Sequence, residues 1–417
     1  MDMMDSKHWS ERGLDTHLDK LKSEVTACSE PIFIAPFVES SVSKDGALSG
    51  AVVSVKATFD VAGHPTTMGS KLLGQKHAEK DADAVAFLRA AGASLIGHTN
   101  MTELAYSGVG LNPHFGTPEN PFKQGRIPGG STSGGAVSVA TGLADIALGT
   151  DTGGSLRIPA AFCGLVGFKP SQQSVSSKGC LPLSQSLDSI GVMANSVNDC
   201  SLAWHVLSDK KEEHVDHDFI LKVPTNFGMD EASSIVREAF DSVIKSLQDQ
   251  GLKIEHGSYP IFEAYQQLPV WQFSAVESRR YFASLIDLES DLLDPRVRQR
   301  IARGKGVTDE EFSNTQRLRH DLIERMSAEE ANTVFIMPTV ACIAPDFSDF
   351  ATDEDFNRIN LLCLRNTSFA NVIDGCSLSL PFTYQGEPIG LMLTAKNGDD
   401  QKLLSLAQTI ERLLCSF

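Results

Sequence analysis

The stretch 129–155, GGSTSGGAVSVATGLADIALGTDTGGS, constrains this chain more than any other. Two glycine–serine clusters flank a run of small residues, and a Thr-Asp-Thr step precedes the second cluster. Glycine loses the most backbone freedom on folding, so paired glycines mark places needing unusual dihedrals or close approach to another group. A flexible linker would carry Ser and Gly throughout, whereas the residues between these clusters are mostly Ala, Val, Leu and Ile. The stretch therefore reads as a shaped piece of interior.

The pattern around it alternates. GAVVSVKATFDVAG (50–63) reads as a buried strand running into a turn. DADAVAFLRAAGASLIG (81–97) gives an Asp-capped helix, a stop at Gly92 and a short apolar strand. The same succession recurs at 132–150, where a small-residue helix precedes Asp145-Ile-Ala-Leu-Gly. Further on come the strand FILKV, the helix SSIVREAFDSVIKSLQDQG and the strand LKIEH, then LRHDLIERMSAEEA leading into TVFIMPTV. GCSLSLPF and PIGLMLTA bracket a hairpin turn before the helix QKLLSLAQTIERLL. Residues 1–38 read as a polar N-terminal helix, with Leu14, Leu18, Leu21 and Val25 at helical spacing, followed by a Pro-punctuated connection. Strands alternating with helices imply an α/β architecture with a sheet covered on both faces. SDKKEEHVDH (208–217) is the best candidate boundary, but it is short enough to be an exposed loop. The expectation is one large domain over 1–417, with a core region 50–195 and a variable, helical, substrate-side region 208–330.

Bulk properties exclude several classes. A net charge of −17 leaves no electrostatic footprint for nucleic acid. No stretch approaches the ~18 apolar residues of a spanning helix, and the polar start MDMMDSKHWSERG has no apolar core of a signal peptide. The 8 cysteines show no CxxC pair or zinc spacing, and read as buried hydrophobes in a reducing compartment. Cytoplasm is the expected location. His214 and His217 in EEHVDHD read as a solvated charge run rather than metal ligands. Ser41-Val-Ser-Lys44 matches SxxK, but neither SDN nor KTG follows. No Walker or Rossmann glycine pattern occurs, so no nucleotide cofactor is indicated.

Glycines just before Ser155 let successive backbone N–H groups converge on one point, as an oxyanion hole requires. A serine hydroxyl needs a base before it can attack. The GxSxG elbow that would pair it with histidine is missing, because Ser133 follows Ser131 by two and Arg157 follows Ser155 by two. A neutral lysine can serve instead, if burial lowers its pKa. Lys56 lies in the apolar AVVSVKATF and is either that base or a strand lysine reaching for water.

The segments VSVK (53–56), PGGSTSGGAVSVATG (128–142) and GTDTGGSLRIPAAFCGLVGFKPS (149–171) together resemble the amidase signature family. The resemblance covers about 50–195 strongly and 333–411 more loosely, and the separation of Ser131 from Ser155 matches the family's spacing. It implies a single-domain fold around a central twisted mixed β-sheet with helices on both faces. It implies a Ser–cisSer–Lys triad: Ser155 as nucleophile, Ser131 after a cis peptide bond from Gly130 as proton relay, and Lys56 as base. The amides of Thr152, Gly153 and Gly154 would hold the oxyanion. Thr150 and Ser133 would orient the serines, and Asp151 and Arg157 would pair to brace the loop. No metal or cofactor is implied. Family members usually follow the lysine with Asp, whereas Ala57 stands here; losing that acid favours a neutral lysine.

The loop TNMTELAYSGVGLNPHFGTPENP (99–121) resembles the family's segment beside the acyl pocket, with Met101, Tyr106, Ser107 and Gly130 as candidate substrate-binding residues. It is similar to standalone amidases, including indole-3-acetamide hydrolase-like enzymes. It differs from the DEFAMGSS type of the glutaminase subunit of tRNA-dependent amidotransferases. That subunit is the main rival reading; a catalytically inactive complex subunit is the second, and an esterase side activity shares the acyl-enzyme chemistry. Trp271, Phe273 and Tyr281, within 264–323, are expected to form the pocket's outer wall. The expected partner is a small-molecule amide, not nucleic acid or membrane, with a homodimer as the assembly to test.

Overall fold

The computed structural model describes residue 9 and residues 14–41, 46–211, 219–415 and 417. Lys44, His214 and His217 lie outside these residues. Eleven strands form one sheet: β1 Phe33–Glu39, β2 Val52–Lys56, β3 Ser94–Thr99, β4 Ile146–Asp151, β5 Val166–Lys169, β6 Ser189–Ala194, β7 Ile220–Pro224, β8 Ile254–Gly257, β9 Thr333–Pro338, β10 Cys376–Tyr384 and β11 Glu387–Ala395. They are ordered β1-β3-β2-β4-β6-β5-β10-β11-β9-β7-β8. The sheet is mixed. β3, β2 and β4 run parallel, as do β9, β7 and β8, and the pairs between β4 and β9 are antiparallel.

Successive strand side chains point to opposite faces, and here both faces are covered. Val53, Val55, Ile146, Leu148, Val334 and Ile336 enter a core with Leu88, Trp204, Val243 and Leu403 from the helices Asp83–Ala90, Val197–Ser208, Ser234–Asp249 and Asp400–Leu414. The intervening Val52 and Ala147 pack on the opposite face with Val139 of the helix Ser133–Ala140. Phe335, Met337 and Met392 do the same with Phe262, Phe273 and Leu322 of Pro260–Gln266, Trp271–Phe282 and Asp309–Ala328. The runs read as buried strands are therefore buried on both faces, which is why they lack polar alternation.

Two local expectations are corrected. The helix Asp83–Ala90 is not Asp-capped: its N-cap is Ala82, with no side-chain cap bond. Asp81 instead accepts from the Ala62 amide and pairs with Arg89, while Asp83 accepts from Ser176. The expected connection after the N-terminal helix carries β1, antiparallel to β3 at the sheet edge. Pro36 is tolerated there because an edge strand need not donate every N–H. The segment LRHDLIERMSAEEA falls largely in the helix Asp309–Ala328, which starts behind a capping box of Thr308 and Glu311. The hairpin is as expected: Gln385 and Gly386, both at positive φ, close the β10–β11 turn. Among the described residues, no helix is long and apolar enough to cross a membrane.

Candidate active site

Lys56 is the last residue of β2, and Asp151 is the last of the parallel neighbour β4. Parallel pairing brings their C-terminal ends to the same edge, where α/β proteins gather their sites. Val55 is opposite Leu148, so Lys56 lies beside the Gly149-Thr150 segment. Its Nζ bonds to Ser131 Oγ at 2.8 Å, Thr150 Oγ1 at 2.8 Å and the Thr150 carbonyl at 3.3 Å. Lys56 is fully buried and does not reach water. Burial pulls its amine from the ordinary 10.5 down to about 7, against a partial upward pull from charges that include Asp188 and Asp151. Among the described residues no carboxylate lies within ion-pair distance of Nζ. Ala57, where the family usually has Asp, packs in an apolar cluster with Met68, Leu104 and Phe282.

The Gly130–Ser131 peptide bond is cis. A Cβ on Gly130 would lie 2.6 Å from Gly110 Cα, so two backbones meet there and no other residue fits. The Gly130 amide donates to the Gly108 carbonyl at 2.9 Å, and the Ser131 carbonyl accepts from the Thr102 amide at 3.1 Å. These bonds fix the segment that carries the Ser131 hydroxyl. The two orienting residues act elsewhere than expected: Thr150 holds Lys56 rather than a serine, and Ser133 Oγ donates to the Asn100 carbonyl at 3.3 Å.

Ser155 stands in the turn between β4 and the short helix Arg157–Phe162. Asp151 and Arg157, both fully buried, brace that turn. Arg157 Nη2 donates to Asp151 Oδ1 at 2.8 Å and Nε to Oδ2 at 3.1 Å. Arg157 also donates to the Thr367 carbonyl and Asn371 Oδ1. Burial raises the Asp151 carboxyl, but Arg157 outweighs it and holds the group at about 2. Asp151 further accepts from the amides of Gly154 at 2.7 Å and Leu156 at 3.1 Å. Of the three amides expected to hold an oxyanion, that of Gly154 donates to Asp151 in this structure. Gly154 sits at φ +139°, and a Cβ on it would lie 2.2 Å from Thr367 Oγ1. Among the described residues no hydrogen bond joins Ser131 to Ser155.

A cavity of about 560 Å³ opens over this turn, and Ser155, Thr152 and Gly153 belong to its lining. Tyr106 and Ser107 line it as expected. Met101 does not, because it is fully buried in the apolar cluster around Ala57. Gly130 does not line the cavity either and abuts Gly110. Of the expected outer wall, Trp271 lines the cavity, Phe273 is in the core and Tyr281 packs beside the Ala57 cluster. Arg300 and Arg303 of Pro295–Arg303, within the expected wall region 264–323, also line the cavity, but sequence reading missed the wall from Asn357, Asn360 and Leu364 of the helix Asp353–Leu364. It also missed Asp188, whose Oδ1 accepts from Thr152 Oγ1 at 2.5 Å. Burial raises the Asp188 carboxyl to about 7, opposed by its hydrogen bonds from Thr152, Ser184 and Leu183. The one signal for it was an acid inside the apolar run SLDSIGVMA.

The amidase family model matches residues 21–404. A 2-amino-5-chloromuconic acid deaminase of Comamonas testosteroni is 31% identical over 386 residues, covering 88% of this chain and 82% of that protein. An indoleacetamide hydrolase of Pseudomonas savastanoi is 30% identical over 429 residues, covering 97% and 92%. A solved amidase structure superposes with TM-score 0.84 at 29% identity, covering 99% of this chain and 100% of the other. The family-model match over nearly the whole chain, these relatives and the shared sheet architecture agree: the chain belongs to the amidase signature family of amide hydrolases.

Proposed function

We propose that this enzyme hydrolyses a small-molecule carboxylic amide to the carboxylate and ammonia or an amine through an acyl-enzyme on Ser155. The observation that carries the reading is Lys56: fully buried, free of carboxylate partners among the described residues, and 2.8 Å from Ser131 Oγ. A neutral amine has a lone pair that can accept the Ser131 proton. Ser131 in turn takes the proton of Ser155 as Ser155 Oγ attacks the amide carbon. The carbonyl oxygen becomes an oxyanion held by the Thr152 and Gly153 amides, with the Ser155 amide as a third donor. Collapse breaks the C–N bond, and the proton stored on Lys56 returns through Ser131 to the departing nitrogen. Water then attacks the acyl-enzyme with the same groups as base, releasing the acid and restoring Ser155. Each species gains and loses one proton, so the cycle closes on the chain's own groups.

The cavity size suits a small molecule. Indoleacetamide and a muconic acid derivative, named in the relatives, are starting points for substrate choice. The rival reading, a glutaminase subunit working only inside a complex, predicts no release by the isolated chain. The test is ammonia release from a panel of primary amides, glutamine included, with Ser155→Ala as the blank. Release above the blank supports a self-sufficient amidase; silence across the panel favours the glutaminase-subunit reading or a secondary-amide substrate, and a secondary-amide panel read by amine release separates the two.

A further inference from the structure

Resting on the amidase reading, we propose that Arg300 and Arg303 form a carboxylate-binding end of the cavity, and that the preferred substrate is an amide whose acyl group carries a second, anionic terminus. Both line the cavity that holds Ser155. They are three residues apart in the last turn of the helix Pro295–Arg303, which places them on one face. The helix dipole favours cations in that turn, but it does not account for their partners. Arg296, one turn earlier, is bound to Asp294 through Nε and Nη2 at 2.9 and 2.8 Å. Arg365, the third arginine of the lining, is paired with Asp230 and Glu231. Among the described residues neither Arg300 nor Arg303 has a carboxylate within ion-pair distance.

Arg300 is half-buried and already held in place. Nη1 donates to the Tyr106 carbonyl at 2.5 Å, Nη2 donates to Asn357 Oδ1 at 3.2 Å, and the guanidinium lies over Phe356. Its remaining N–H donors have no protein acceptor among the described residues. Arg303 lies 4.0 Å from the Trp271 ring centroid at the rim and makes no hydrogen bond among the described residues. A planar guanidinium steadied on an aromatic face offers a fork matched to a carboxylate. Among the described residues no aspartate or glutamate lines the cavity, in a chain of net charge −17. The cavity is thus a local positive region on an acidic protein, which concentrates anions. The scissile carbonyl would sit at Ser155 and the anionic terminus at this arginine pair.

The test reads binding rather than turnover, so it stands apart from the amidase reading itself. Linear dicarboxylates from succinate to adipate, and monocarboxylates matched in length, are titrated into the full chain by calorimetry. The wild type is expected to bind its best dicarboxylate roughly 10- to 100-fold more tightly than the matched monocarboxylate, as one charge-assisted contact allows. Arg303→Gln, a rim change that leaves the core untouched, is expected to cut that preference to about 2-fold or less. Arg300→Lys keeps the charge but loses the fork, and is expected to reduce the preference in part. Equal affinities in the wild type, no binding of any dicarboxylate, or a preference that survives Arg303→Gln and Arg300→Lys alike would overturn the proposal. Absence of ammonia release from every amide would instead count against the amidase reading.

Discussion

A lysine amine gives up its proton readily when burial removes the water that solvates its charge, and Lys56 is held in that condition at the end of β2. With its pKa at about 7, kcat/KM should rise with pH along a limb centred near 7, as Lys56 becomes neutral. An assay from pH 5 to 9 checks this; a rate that falls across that limb would assign the base elsewhere. Ser155→Ala should lower turnover by at least about 10⁴-fold, and Lys56→Ala by nearly as much. Ser131→Ala should cost about 10²- to 10⁴-fold, since a water can stand in for the relay. The contact of Lys56 with Ser131 joins two motifs that could be singled out in the sequence because each is contiguous, as is the one that carries Ser155. The partner of Thr150 was not legible, because it depends on the parallel register of β2 and β4, strands far apart in sequence. Met101 was misread since an apolar loop residue looks the same whether it faces a cavity or a core.

The turn that carries Ser155 is shaped by Gly154 and by the buried Asp151–Arg157 pair. Gly154→Ala should abolish activity, because the new Cβ meets Thr367 Oγ1 at 2.2 Å and Gly154 holds a positive φ. Circular dichroism should still show the folded sheet, as the clash is confined to that turn. Asp151→Asn strips the charge partner from a fully buried arginine, a change of about 3–5 kcal/mol, so its Tm should fall well below that of the wild type. Elements whose signals are local, such as the β10–β11 hairpin and the strand at VVSVK, were readable from pattern alone. β1 was not, because Pro36 argues against a strand unless its edge position is known. The helix near 83–90 looked Asp-capped because spacing cannot tell a capping carboxylate from one drawn away by Ala62 and Arg89.

Across the whole molecule the sheet order brings residues 56, 131, 150 and 155 to one edge and hangs the wall helices over them. Alternating patterns announce an α/β sheet, but strand order is set by contacts between distant segments, so neither it nor the part of the cavity wall from the helix Asp353–Leu364 could be read ahead. The buried pair also ties global stability to acid. The Asp151 carboxyl is depressed from 3.8 to about 2, so its contribution is fully present above the ordinary value and is lost as pH falls from 3.8 towards 2. Tm measured over that interval should drop more steeply for the wild type than for Asp151→Asn. The most direct test of the central claim, a Ser155 activated by Lys56, needs no substrate. The chain is treated with a fluorophosphonate, a reagent for activated serines, and the adduct is located by peptide mass mapping. The account predicts a single adduct on Ser155, forming faster as pH rises through about 7 and lost in Lys56→Ala. An adduct on another residue, or undiminished labelling of Ser155 in Lys56→Ala, would contradict it.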